Sequence, residues 1–345
     1  MKRSSVVFGM TAMLAGTSLV GCKLMDDDFA GSTPTAENVA LAVPASTQSA
    51  LTASDGTKVS ALLGEEAGSY QLTRAVTGIV NGATGIVLIL VKTIVSYPPT
   101  SHHGDTAVWG PHSEPLDKNA WRLTVTRVEP HVFSWALDGK AKADPDSAFI
   151  TLLSGVHTRA LNDRGRPIEN YGSGTFVVDW DMAQTLPDHD NAVGVATFTY
   201  SRTAPGAVTT IDVDFQGIKD EPRSTDPAAA ELYDAIYRYT ATPGAGGDLK
   251  YAAKRDYYPD PHPSGTAKED LTIHSRWQET GTGRTDYQLT GGEVAADGIA
   301  PVSVSECWDT AFLSTYLNVS YDHAGDWGME TSCSFPTASF LAPSL

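Results

Sequence analysis

Hydrophobic and polar positions follow two different periods along this chain. Between Val59 and Val95 apolar residues recur at spacings of three or four, which predicts one helix, or two with a break near 64–68. The core of this region is AVTGIVNGATGIVLILVKTIV, residues 75–95. Asn81-Gly82 is typical of a hairpin turn, and a run of about 20 residues approaches the length of a membrane-spanning helix, so both alternatives stay open. Asn81, Lys92 and the glycines interrupt the run, which favours a helix buried in protein.

From Trp121 onward the period changes to two, as in a half-buried strand. Trp121, Leu123 and Val125 share one face, and the next run repeats the pattern over 132–137. Further runs lie at 148–159, 174–182, 193–201, 208–216, 232–240, 249–255, 271–278, 286–290 and 302–308. Turn sequences separate these runs, and no regular alternation of strand and helix is visible. We therefore predict an antiparallel meander, with a loop before it at about 98–117.

The predicted fold class is mainly β with an N-terminal helix (α+β). Ten or so antiparallel strands form a curved sheet or open half-barrel, with the helix packed on its inner face. The predicted segments are a helix at 58–97 and a β domain at 98–345, together one globular unit, 58–345. In outline this architecture is similar to the half-barrel of the periplasmic lipoprotein carrier and its outer-membrane receptor. That similarity is architectural and rests on no shared motif.

Composition fits a folded protein that is strongly acidic. The chain has 345 residues, 41% of them hydrophobic, and a formal net charge of -17. Such a composition supports a sizeable core. The net negative charge repels phosphate groups, so we expect no nucleic-acid partner.

The first residues predict an exported protein. A basic pair, Lys2-Arg3, precedes an apolar run over 6–20, and Leu19-Val20-Gly21-Cys22 follows. The last four residues resemble the lipobox of bacterial lipoproteins; the alternative is an ordinary leader with an incidental cysteine. The resemblance implies removal of 1–21, a diacylglycerol on the Cys22 thiol, and an acyl chain such as palmitate on its amino group. It makes the membrane the expected partner through this anchor, because several acyl chains on one residue bind a bilayer durably.

Two further expectations concern the region after Cys22. In the sorting pattern of enterobacterial lipoproteins, Asp at the next position favours the inner membrane, so Lys23 indicates the outer membrane, facing the periplasm or the surface. Residues 22–57 are rich in Ala, Ser, Thr and Gly without a sustained apolar period. They predict a flexible tether between lipid and domain.

Cys307 and Cys333 remain after lipidation of Cys22. An exported chain reaches an oxidising compartment, so the expected state is a disulfide between them. A free-thiol or redox role is the alternative.

Two groups of polar side chains suggest weak metal sites. His102, His103, Asp105 and His112 supply imidazole and carboxylate ligands suited to zinc, but their spacing matches no metal-binding motif. Solvated loop histidines are the alternative. Oxygen ligands around one predicted hairpin suggest a calcium site: Asp179, Asp181, Asp188, Asp190 and Asn191. Acidic turn residues are the commoner explanation, and we otherwise expect no cofactor.

No catalytic motif is visible: there is no G-x-S-x-G, H-E-x-x-H, Walker loop or strand-linked G-x-G-x-x-G. The leading expectation is therefore a lipid-anchored envelope protein that binds or scaffolds without chemistry. The first alternative is a carrier or receptor with a hydrophobic ligand in the half-barrel, and the second is an envelope hydrolase. Residues expected to line such a cavity are Ile86, Leu90, Trp121, Trp135 and Trp180.

Overall fold

The computed structural model describes residue 29 and residues 31–44, 63–219, 231–257, 267–320 and 326–343. Its main feature is one antiparallel sheet of fifteen strands. The strands are β1 (Ser101–His103), β2 (Thr106–His112), β3 (Asn119–Glu129), β4 (Val132–Ala141), β5 (Ile150–Leu161), β6 (Pro167–Asp179), β7 (Val195–Arg202), β8 (Thr209–Lys219), β9 (Leu232–Thr242), β10 (Gly246–Arg255), β11 (Glu269–Gln278), β12 (Gly283–Gly291), β13 (Val302–Trp308), β14 (Ser314–Val319) and β15 (Trp327–Gly328).

Each strand pairs with the next one in sequence, from β1 to β15, so the sheet is a single meander. This confirms the predicted mainly β, antiparallel class. The number of strands exceeds the ten or so expected. Part of the difference lies in 98–117, predicted as a loop, where β1 and β2 form a hairpin. Three-residue strands such as β1 are too short to give a detectable alternation in sequence.

The long apolar segment forms one helix, α1 (Gly68–Val95), which continues through Asn81-Gly82 without a break. The helical prediction for residues 75–95 is confirmed, and the hairpin alternative is wrong. At 1.5 Å per residue the helix is roughly 42 Å long. No helix among the described residues is both long enough and apolar enough to cross a bilayer. Two short helices, α2 (Trp180–Ala183) and α3 (Gly292–Ala296), lie in connections between strands.

Residues 31–44 belong to the folded core. Val39 and Leu41 are buried in the same apolar cluster as the sheet. The Asn81 side chain accepts a hydrogen bond from Leu41 N (2.9 Å) and donates one to Leu41 O (3.0 Å), as a neighbouring strand would. This stretch lies within the predicted tether, 22–57, and the structure differs from that expectation here. Contacts with distant strands order it, and such contacts leave no local periodicity in the sequence.

One face of the sheet carries large aromatic rings next to glycines on the paired strand. Trp277 lies opposite Gly247, Trp308 lies opposite Gly283, and Phe176 lies opposite Gly155. A Cβ atom added to Gly283 would be 2.2 Å from Trp308 Cζ2, and one added to Gly247 would be 2.3 Å from Trp277 Cζ2. Each glycine therefore leaves the space that the neighbouring ring occupies.

The opposite face of β11 to β14 is covered by the C-terminal segment. Arg284, which is fully buried, donates to Asp286 Oδ1 (2.7 Å), to Glu330 Oε1 (2.7 Å) and to Phe335 O (3.1 Å). The Cys307–Cys333 disulfide, with its Cα atoms 5.7 Å apart, joins the same segment to β13. The predicted disulfide is thus present, and in the loop-entropy model a closure of this span stabilises the fold by about 3 to 4 kcal/mol.

We predict that Gly283→Ala lowers the free energy of unfolding by about 1 to 3 kcal/mol, because the added methyl forces Trp308 to move. Urea denaturation measures this change. The matched control is Gly78→Ala on α1, where a Cβ meets no atom within 4 Å. That variant should be neutral or stabilised by up to about 1 kcal/mol, because alanine favours helix over glycine. Equal effects of the two variants would contradict close packing at Gly283.

Candidate functional site

The first turn of α1 binds a buried carboxylate from the sheet. Its N-cap residue, Ala67, has no side chain that could cap the helix. Instead, Glu306 Oε2 accepts hydrogen bonds from Ser69 N (2.7 Å) and Ser69 Oγ (2.6 Å). Glu306 is fully buried on β13. A carboxylate at a helix N-terminus satisfies free N–H groups and interacts favourably with the helix dipole.

Buried hydroxyls continue this polar contact one turn further along α1. Thr73 Oγ1 lies 2.5 Å from Ser275 Oγ and 3.2 Å from Thr285 Oγ1, and Ser275 and Thr285 are 2.7 Å apart. Beside them, the Tyr70 ring stacks on Phe312 with centroids 4.3 Å apart. The polar contact of Ser69, Thr73, Ser275, Thr285 and Glu306 therefore fixes where α1 meets β11 to β13.

The sequence contained a signal for this contact. Glu306 alternates with Val304 and Trp308, so an acid stands at a position expected to face the core. A buried acid requires a hydrogen-bond partner. The partner lies on α1, about 237 positions away in sequence, and spacing alone does not identify it.

A second buried polar pair joins β5 and β7. His157 Nδ1 lies 2.6 Å from the Tyr200 hydroxyl, and both side chains are 2% exposed. Burial lowers the pKa of His157 to about 4, and the nearby charge of Arg159 acts in the same direction. Burial also raises the pKa of Tyr200. His157 is therefore neutral at physiological pH and acts as an uncharged hydrogen-bonding group.

Three acids meet at one end of β10, β11 and α3. Asp256, Glu269 and Glu293 bring one carboxylate oxygen each within 4.8 Å of one another, the single such group of possible metal ligands among the described residues. Glu269 is fully buried and accepts hydrogen bonds from Glu293 N (2.8 Å) and Tyr257 N (2.9 Å). A hydrogen bond to Glu269 raises the pKa of Glu293, and desolvation adds to the shift. The neighbouring Glu269 therefore favours the protonated form of Glu293.

The structure does not assemble the weak zinc candidates into a common site. His102 packs edge-on against Phe29, with ring centroids 5.3 Å apart. Asp105 Oδ1 lies 3.8 Å from Arg127 Nη1, and His112 is paired with Trp121 across β2 and β3. His102, His103, Asp105 and His112 form no group of three close ligand atoms in the described part of the chain.

The calcium candidates have local roles in the connection between β6 and β7. Asp179 Oδ1 accepts from Met182 N (2.9 Å), which caps α2, and Asp181 Oδ1 accepts from Gly194 N (2.8 Å). Asp190 Oδ1 accepts from Ala192 N (2.9 Å). These carboxylates satisfy backbone N–H groups of turns, which agrees with the alternative that they are acidic turn residues.

The residues expected to line a hydrophobic cavity have different environments in the structure. Trp135 is 2% exposed and contacts Phe176, with centroids 6.0 Å apart. Trp121 and Trp180 are half-buried and pack against the apolar core. The side chains of Ile86 and Leu90 lie outside the described residues, as does Cys22.

No family model, curated protein sequence or solved structure matches this chain. Polar groups in the described part of the chain include the Glu306 contact, the His157–Tyr200 pair and the three acids. A fourth group is His274, whose Nδ1 lies 3.0 Å from Ser339 Oγ and whose Nε2 lies 2.6 Å from Asp248 Oδ2. The first holds a helix to the sheet, the second joins two strands, and the third accepts backbone N–H groups.

We predict that His157 makes stability fall as pH decreases from about 6.5 to about 4. In that window the unfolded chain binds a proton that the folded chain does not, so stability is complete above the unfolded pKa and declines below it. The full effect is at most about 3 kcal/mol. Urea denaturation of His157→Gln should show a weaker decline than the wild type between pH 7 and pH 4. Identical pH profiles would contradict a neutral buried histidine.

We predict that Glu293→Gln raises the free energy of unfolding at pH 7. The raised pKa means that the folded state favours the protonated carboxyl, so this stabilisation is complete below the unfolded pKa and lost as pH rises through the folded one. Glutamine keeps an uncharged amide there at every pH. Urea denaturation measures the change. The matched control is Glu169→Gln, at an exposed position on β6. Stabilisation of the wild type but not the variant by Ca²⁺ would indicate a cation site instead.

Proposed function

We propose that this chain is a lipid-anchored protein of the bacterial cell envelope whose β domain binds or scaffolds without catalysing a reaction. The observation that carries the proposal is Leu19-Val20-Gly21-Cys22 at the end of a basic and then apolar leader. In a lipoprotein this sequence places acyl chains on Cys22, and Lys23 then favours the outer membrane.

The contacts of the domain support a role without chemistry. The buried acid Glu306 is bound to α1, and His157 is bound to Tyr200. The hydroxyl groups in these contacts belong to Ser69 and Tyr200, which are 1% and 2% exposed, so neither is open to a substrate as the nucleophile of a hydrolase must be. The carboxylates between β6 and β7 are likewise bound to backbone N–H groups.

We further propose that the sheet curves around α1 as an open half-barrel. Buried residues of α1 and of strands β3 to β11 belong to one apolar cluster, which includes Leu88 and Val91. The start of the helix is bound to Glu306 on β13, and just after its end Tyr97 O accepts a hydrogen bond from Trp109 Nε1 on β2 (2.7 Å). One helix that is bound to strands near both ends of the sheet requires the sheet to bend around it. In this arrangement α1 and residues 31–44 fill the inner face of the sheet. A filled inner face leaves no cavity for a ligand, which favours a scaffold over a carrier.

We predict that Cys22→Ala moves the protein from the membrane fraction to the soluble fraction, because the acyl chains no longer attach. Fractionation of the full chain expressed in a bacterium with lipoprotein processing measures this. The matched control is Cys307→Ser with Cys333→Ser, which removes two other cysteines and should stay membrane-bound. Membrane association of Cys22→Ala would contradict lipid anchoring.

A further inference from the structure

Residues 335–343 cross the outer face of β11 and β12, whereas α1 contacts the other face through Ser275. The carbonyl groups of alternate residues in this segment contact side chains of the sheet. These contacts are Phe335 O with Arg284 Nη1 (3.1 Å), Thr337 O with Arg276 Nη2 (3.0 Å), Ser339 O with His274 Nδ1 (3.1 Å) and Leu341 O with Thr272 Oγ1 (3.5 Å). The segment is therefore bound at intervals of two residues.

The sheet presents its binding groups at the same interval. Thr272, His274 and Arg276 are alternate residues of β11, so their side chains lie on one face. They contact the segment in reverse order, so the segment runs antiparallel to β11. An extended chain repeats every two residues, as a strand does. The matching intervals indicate a row of side chains suited to an extended peptide.

We define the outer site as the side chains of Thr272, His274, Arg276, Arg284 and Asp286. Asp286 Oδ2 accepts a hydrogen bond from Ser339 N (3.0 Å), so the outer site binds a main-chain donor as well as main-chain acceptors. The Ser339 hydroxyl adds a side-chain contact, because Ser339 Oγ lies 3.0 Å from His274 Nδ1. The outer site therefore contacts the segment mainly through main-chain atoms.

Side chains of the segment contribute little to its binding. Five of the eight residues 336–343 are exposed, and Phe340 is 42% exposed. The segment contains no charged residue. Another uncharged peptide in the same extended conformation would therefore make the same main-chain contacts.

The side chains of the outer site hold one another in place without the segment. Asp286, which is 1% exposed, accepts hydrogen bonds from Arg276 Nη2 (2.6 Å) and Arg284 Nε (2.7 Å). His274 Nε2 lies 2.6 Å from Asp248 Oδ2, which positions the imidazole ring. A site that is ordered before its ligand arrives loses little conformational entropy on binding.

The segment leaves one donor of the outer site unused. Arg276 Nε is buried and has no hydrogen-bond partner among the described residues. A buried N–H group without a partner is costly. A ligand with a further acceptor at this point would bind the outer site more completely than residues 336–343 do.

We propose that the outer site binds an extended, uncharged peptide of a partner protein, and that residues 336–343 occupy the site until such a peptide displaces them. The disulfide of Cys333 and the contact of Glu330 with Arg284 hold the chain before this segment, so its displacement leaves the sheet intact. The inference rests on the proposed binding role, to which it gives a site and a class of partner. It does not depend on lipidation of Cys22.

The test measures binding of a fluorescent peptide, with the sequence of residues 335–343 and blocked ends, to the full chain by fluorescence anisotropy. The attached segment competes at an effective concentration on the order of 1 mM, so the wild type should bind the peptide weakly. Ser339→Pro removes the N–H group that Asp286 accepts and should strengthen peptide binding about tenfold.

Deletion of Ala338 is an independent variant, because it turns the later carbonyl groups of the segment away from the sheet. It should strengthen peptide binding as well. The matched control is Thr337→Ala, which keeps every main-chain contact and should bind the peptide as weakly as the wild type does. If neither Ser339→Pro nor the deletion binds the peptide more tightly than the wild type, the proposal is wrong.

A second set of variants locates the bound peptide. In the Ser339→Pro chain, Arg276→Ala should remove the gain in binding, whereas Arg238→Ala, a half-buried arginine on β9, should not. An N-methyl group on Ser339 of the peptide should weaken binding about tenfold with the chain unchanged. A peptide with Phe340→Ala should bind as the original does.

Equal effects of the two arginine variants, or of the two altered peptides, overturn recognition of the main chain at the outer site. Release from the membrane by Cys22→Ala is measured separately. Loss of peptide binding with retained anchoring therefore contradicts only this inference.

Discussion

The structure depends on covering one apolar face of a fifteen-stranded meander. The face runs from Leu123 on β3 across Phe198 and Tyr237 to Trp308 on β13, and these side chains are almost fully buried. A sheet made only of hairpins supplies no crossover helix to cover itself. Buried residues of α1 and of residues 31–44, which precede every strand in sequence, belong to the same apolar cluster as this face. Burial of this face therefore involves the segment N-terminal to the sheet.

Buried polar groups determine the positions of α1 and of residues 31–44. Apolar packing is not directional, whereas a buried carboxylate tolerates few arrangements because an unmade hydrogen bond is costly. Glu306 binds the first turn of α1, and Asn81 binds the backbone of Leu41. A buried charged group has the same role on the opposite face of the sheet. There Arg284 binds Asp286 and Glu330 and so holds the C-terminal segment in place beside the disulfide.

Local patterns in the sequence determined the secondary structure, because periods of two and of three or four are fixed by backbone geometry. They predicted the helix over 75–95, most strands from Trp121 onward and the antiparallel class, and the two remaining cysteines predicted the disulfide. Tertiary structure alone decided what touches α1, where residues 31–44 lie and which turns share an end. Those features join residues far apart in sequence, such as Ser69 with Glu306 and Leu41 with Asn81. Local sequence patterns report only on neighbouring residues, so they do not identify such partners.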